Sequence, residues 1–70
     1  MNVFVFKTSV NNQKDIKRLQ NPLNQLMHQN EQWSFDLEDC DNILRVESLQ
    51  VKAYNIANTL NILGFSCEEI

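Results

Sequence analysis

Trp33-Ser34-Phe35-Asp36-Leu37-Glu38-Asp39-Cys40-Asp41-Asn42-Ile43-Leu44-Arg45-Val46-Glu47 is the stretch whose reading decides the fold. Trp33, Phe35 and Leu37 alternate with Ser34, Asp36 and Glu38, the period of two of a strand with one wet face. Asp39-Cys40-Asp41-Asn42 then has the composition of a turn. Beyond it Leu44 and Val46 alternate with Ile43, Arg45 and Glu47. Strands joined so closely pair antiparallel, because a parallel crossover needs a dozen or more residues. The stretch is therefore a hairpin in the middle of the chain.

On the N-terminal side, Val3 to Thr8 is an apolar and β-branched run apart from Lys7, closed by Ser9 and the Asn11-Asn12 pair. That pattern predicts a central strand buried on both faces. From Asn12 the period becomes helical. Ile16, Leu19, Leu23 and Leu26 share one face, and Lys14, Lys17, Arg18, Gln20, Asn24 and Gln25 occupy the other. Asn12 is suited to cap this helix by accepting from the Asp15 amide, and Asp15 places negative charge at its positive end. Pro22 lacks an amide donor and crowds the carbonyl four residues earlier, which predicts a kink or a fresh start capped by Asn21.

On the C-terminal side, Ala53, Ile56, Ala57, Leu60 and Leu63 form a second helical stripe, with Gly64 at the position where a left-handed backbone is cheap. Residues 65–70 read as a short final strand. The order is strand, helix, hairpin, helix, strand. Right-handed crossovers then give an α+β fold, a ferredoxin-like βαββαβ sandwich with a four-stranded antiparallel sheet, strand order 4-1-3-2, and both helices on one face. All 70 residues belong to this single domain. A chain of this length buries only about 60% of its unfolded surface, so function is expected on loops or on a sheet face.

Thr8-Ser9-Val10-Asn11 before an amphipathic helix, then Trp33-Ser34-Phe35-Asp36, Ile43-Leu44-Arg45-Val46 and Gly64-Phe65, resemble the heavy-metal-associated domain over almost the whole length. The resemblance implies a Cys-x-x-Cys pair where the first loop enters the first helix, binding a soft ion such as Cu(I). Here those four positions are Asn12-Gln13-Lys14-Asp15. Soft copper selects thiolates, whereas amide and carboxylate oxygens suit hard ions, so the chain reads as a member without the family's metal motif.

The expected topology gathers the first loop, the hairpin turn and the loop before the last strand at one pole. Asn11, Asn12 and Asp15 are thereby drawn towards Asp39, Cys40 and Asp41. Asn12, Asp15, Asp39, Cys40 and Asp41 are the candidate ligands for a residual metal site built on oxygen atoms or on Cys40. The competing reading of the same residues is a capped helix beside a solvated acidic turn, and it is preferred; no cofactor is expected. Cys40 and Cys67 lie on opposite sides of the expected sheet, about 10 Å or more apart at roughly 4.8 Å per strand, too far for a disulfide. Cys67 alternates with Ser66 and Glu68 and reads as a small buried hydrophobe. His28 falls about 20 Å along the helix from Asp15 and cannot complete the site.

Composition narrows the function classes. The hydrophobic fraction is 43% and the charged fraction 21%, enough apolar material for a core. Net charge is -3 with six scattered Lys and Arg, which disfavours nucleic acid and anionic membrane as partners. A single His, a single Gly and the absence of a phosphate loop leave nothing on which to build a catalytic triad or nucleotide site, so an enzyme is not expected. RNA-recognition modules share the topology but read bases with aromatics on the open sheet face. Here that face would carry Asp36, Glu38 and Glu47 against a lone Arg45. The start of the chain has no basic segment and too short an apolar run for a signal peptide, so a cytoplasmic location is expected.

One surface stays open in this reading. Either Val3 and Val5 or Phe4 and Phe6 must face away from the helices, flanked by Ile43 and Ile70, and the apolar run does not say which. Such a strip rimmed by acids suits a protein partner or self-association. The preferred function is a metal-independent interaction module; the alternative is the residual metal binder.

Overall fold

The computed structural model describes residues 1–38 and 40–70. Its elements are β1 (Asn2–Thr8), α1 (Gln13–Leu26), β2 (Gln32–Asp36), β3 (Ile43–Ser48), α2 (Ala53–Ile62) and β4 (Cys67–Glu69). All neighbouring strands pair antiparallel in one sheet of order β2-β3-β1-β4, which is the expected topology and a ferredoxin-like fold.

Register decides which side chains face the helices. Phe4 opposes Val46 and Phe6 opposes Leu44 across β1 and β3, while Trp33 and Phe35 oppose the same two β3 residues across β2. Phe6, Leu44 and Val46 are completely enclosed, together with Leu19 and Leu23 of α1 and Ile56 and Leu60 of α2. Both helices therefore cover the same face. The alternate residues Val3, Val5, Lys7, Ile43, Arg45, Glu47 and the β2 residues Gln32, Ser34 and Asp36 lie on the other face, which no helix covers.

This corrects the expectation that β1 is buried on both faces. Val3 is 56% exposed and Val5 half-buried, because two helices supply one covering layer and not two. Glu38, expected on the open face, follows the end of β2; its amide donates to Asp36 Oδ1 at 3.2 Å as the chain turns.

The helix start is as predicted: Asn12 Oδ1 accepts from the Asp15 amide at 2.9 Å. Pro22 instead lies within α1, which runs from Gln13 to Leu26 with no new start at Asn21. Leu19 and Leu23 on either side of Pro22 are both fully buried, so packing holds the turns that the missing hydrogen bond would otherwise weaken.

The final strand is shorter than residues 65–70 because Phe65 is used to close α2. The Gly64 amide donates to the Asn61 carbonyl at 3.0 Å and the Phe65 amide to the Leu60 carbonyl at 2.9 Å, the paired bonds of a Schellman cap. Phe65 is buried against the core that contains Leu60, the apolar contact that accompanies such a cap. Gly64 has φ +94°, with open space where a side chain would begin. Gly64→Ala is thus expected to lower stability through backbone strain alone, by about 1 kcal/mol. A chemical-denaturation series comparing Gly64→Ala with Gly64→Asn checks this: Asn tolerates the left-handed region and should lose less.

Candidate functional site

At the pole where the candidate ligands were expected, three connections are laced together by backbone. The Thr8 amide donates to the Asp41 carbonyl at 3.3 Å, and the Thr8 hydroxyl donates to the Asn42 carbonyl at 2.7 Å. The Ser9 amide donates to the Ser66 carbonyl at 3.2 Å, and the Ser66 amide returns a bond to Ser9 Oγ at 2.9 Å. The first loop, the hairpin turn and the α2–β4 loop do share one pole.

The side chains there are committed locally. Asn12 Nδ2 donates to Asp15 Oδ2 at 3.1 Å and to Asn11 Oδ1 at 2.9 Å, which closes a reciprocal cap at the start of α1. Asp15 also stands 3.9 Å from the Arg18 guanidinium, and Asp41 stands 3.7 Å from the Lys7 ammonium. Cys40 is exposed, and Asp39 lies outside the described residues. Among the described residues, no group of three or more His, Cys, Asp or Glu side chains is placed to hold a metal ion. Asn12 and Asp15 are brought together; Asp41 is turned to Lys7.

Both thiols are free. Cys67 pairs in register with Thr8 on the helix side of the sheet, half-buried, and burial pushes its thiol up to about 11. Its character is that of a small apolar side chain, not of a nucleophile. His28 is exposed just beyond the end of α1, at the opposite pole from Asp15.

That opposite pole holds a side chain with four hydrogen-bond donors around it, Glu31, which sequence reading passed over. Glu31 Oε1 accepts from the His28 amide at 2.7 Å. Oε2 accepts from the Leu49 amide at 2.7 Å, the Gln50 amide at 2.8 Å and the Ser48 hydroxyl at 2.9 Å. Ser48 Oγ itself accepts from the Val51 amide at 2.8 Å. One carboxylate thus ties the α1–β2 turn to the β3–α2 turn by accepting from amides of both. Burial works against its charge, but the bonds from Gln50, His28, Leu49 and Ser48 outweigh it and hold the carboxyl down to about 2. With its lone pairs so occupied, Glu31 is a clamp and not a ligand in waiting. An Asn before Glu31 was the one local signal of a turn, and Asn30 does reverse the chain at φ +69°, but three of the four donors come from residues 17–19 positions later.

The open face is the other candidate surface. Read across the strands, its rows are Asp36, Ile43, Lys7 and Glu68, then Ser34, Arg45 and Val5, then Gln32, Glu47 and Val3. The Ile70 amide donates to the Val5 carbonyl at 2.9 Å, which extends the second row by one apolar side chain. Val3 is 56% and Ile70 73% exposed, whereas Ile43 is only 9% exposed, so the apolar strip lies over β1 and the end of the chain. Two shallow grooves flank β2. One of about 380 Å³ is lined by Gln13, Ile16, Phe35, Asp36, Leu37 and Glu38, and one of about 140 Å³ by Gln32, Trp33, Ser34, Arg45 and Glu47. None of Asn12, Asp15, Cys40 and Asp41 lines either groove. No helix among the described residues is long and apolar enough to cross a membrane.

The clamp makes a pH prediction. The folded carboxyl lies below its ordinary value of 4.5, so the stability it contributes is complete above about pH 4.5 and drains away as pH falls towards 2. Glu31→Gln should therefore lower the urea midpoint at pH 7. The gap between the two proteins should narrow below pH 4.5 and close near pH 2; a gap independent of pH would show that the charge is not what matters.

Compared with protein families, with curated proteins and with solved structures, the chain matches none of them.

Proposed function

We propose that this domain is a protein-interaction module that works without metal, a relative of the heavy-metal-associated type that has kept the sandwich and not the cysteine pair. The observation that carries this reading is the uncovered sheet face, on which Val3 and Ile70 stay 56% and 73% exposed on either side of Val5. An apolar strip on a rigid sheet, bordered by Lys7, Arg45, Glu47 and Glu68, has the anatomy of a contact patch with a polar rim. The mixed rim charges suit a protein surface better than a polyanion. At the metal-motif position, the Asn12 and Asp15 side chains are spent on capping α1 and on Arg18, which weighs against their service as ligands.

Two measurements test the reading. In an amide-resolved NMR titration of the reduced protein with Cu(I), Zn(II), Ca(II) and Mg(II), no saturable shift is expected at Asn12, Asp15 or Asp41. Saturable shifts confined to that pole would replace this reading with the metal one. For the patch, a photo-crosslinking residue at Val5 should give a discrete protein adduct in the source cells that Val3→Lys removes. The same probe at the exposed Asn58 of α2 should give none. Equal labelling from both positions would overturn the assignment of the open face.

A further inference from the structure

The sheet has two edges, and they are unlike. β4 is three residues long and carries Glu68 and Glu69. β2 is five residues, Gln32-Trp33-Ser34-Phe35-Asp36, without the Lys, Pro or bulge that usually blunts an exposed edge. Which β2 backbone groups point outward follows from hydrogen bonds elsewhere in the sheet. The Val5 carbonyl accepts from Ile70 and the Ser9 amide donates to Ser66, so odd-numbered β1 residues point their backbone groups towards β4. The Thr8 amide, bonded to Asp41, confirms that even-numbered ones point towards β3. Phe4 and Phe6 therefore bond Val46 and Leu44, which leaves Ile43, Arg45 and Glu47 to bond Asp36, Ser34 and Gln32. The amides and carbonyls of Trp33 and Phe35 are left on the open edge.

We propose that this edge pairs antiparallel with the β2 edge of a second copy, about a two-fold axis through Ser34, so that two sheets become one. The proposal concerns the edge and not the open face, and it stands whether or not that face binds a partner. In this register Trp33 faces the partner's Phe35 and Phe35 the partner's Trp33, and each pair exchanges both of its backbone bonds. Registers centred on Trp33 or on Phe35 would pair only one of the two residues with a residue of the opposite strand's outward set inside β2. The side chains agree with the backbone. Trp33 and Phe35 are half-buried on the helix side, packed edge to face at 5.8 Å, and the Trp33 indole is held by Asn24 Oδ1 at 2.8 Å. Across the axis they continue the aromatic layer from one copy into the next. Gln32 meets the partner's Asp36 and Ser34 meets the partner's Ser34, so no like charges are opposed. A five-residue strand pair is a small interface, and the dimer is accordingly a weak one.

Sedimentation equilibrium of the chain with reductant, from about 10 μM to about 1 mM, reads this directly. The weight-average mass should climb from 8.2 kDa towards twice that value. Ser34→Lys, which sets two ammonium groups face to face on an exposed position, should weaken association by about tenfold, and Gln32→Glu, set against Asp36, should also weaken it. Gln32→Lys should tighten it. Methylation of the Phe35 amide nitrogen, introduced by joining synthetic halves at Cys40, removes an outward donor without changing a side chain or the β2–β3 ladder and should abolish pairing. Val5→Lys on the open face should leave association unchanged. A mass of 8.2 kDa at every concentration would overturn the proposal, as would a dimer that Val5→Lys breaks and methylation of the Phe35 amide does not.

Discussion

Seventy residues provide two helices, and two helices of 14 and 10 residues can shield one face of a four-stranded sheet. Every other property of the molecule is arranged around that one-sided burial. It forces Phe4, Phe6, Leu44 and Val46 to the covered side, where Leu19, Leu23, Ile56 and Leu60 enclose all but the partly buried Phe4. It leaves Val3 and Val5 on the side towards water although the same run of sequence is equally apolar. It also makes β1 central without making it inaccessible, so a strand whose composition looks like deep core presents part of itself to solvent.

A core of this size cannot hold five connections in place by packing alone, and the two poles are secured by polar groups in different ways. At one pole Thr8, Ser9, Ser66, Asp41 and Asn42 bond mainly through backbone, with short hydroxyl side chains filling the remaining valences. At the other, a single ionised carboxylate collects amides from two turns. A carboxylate suits this task because it has lone pairs for several donors and accepts charge-assisted bonds, whereas a backbone carbonyl has fewer. The pole that resembles a metal site in sequence is thus a capped helix beside a backbone-laced turn, and the pole with the strongest electrostatic organisation carries no recognisable motif.

Much of the architecture was legible in the chain. The alternation from Trp33 to Glu47 defined the hairpin, the helical spacing from Ile16 to Leu26 and from Ala53 to Leu63 defined the helices, and Asn12 and Gly64 marked ends that the hydrogen bonds reproduce. These signals are local: each depends on residues within one or two turns of one another. Two readings fell short for different reasons. The fresh start at Asn21 is absent because the cost of Pro22 is local while the burial of Leu19 and Leu23 that offsets it is not. Phe65 reads as strand from its apolar side chain, yet it directly follows Gly64, and its amide bonds the Leu60 carbonyl to close α2.

Sequence by itself determined the order of the elements and the absence of a thiolate pair at the start of α1, because periodicity, capping chemistry and ligand type are properties of neighbouring residues. Tertiary structure alone decided which side of β1 meets water, which backbone groups of β2 point away from β3, and that Glu31 joins turns remote in sequence. Those outcomes depend on strand register and on which face the helices cover, and an apolar run of even composition carries no phase from which either can be read.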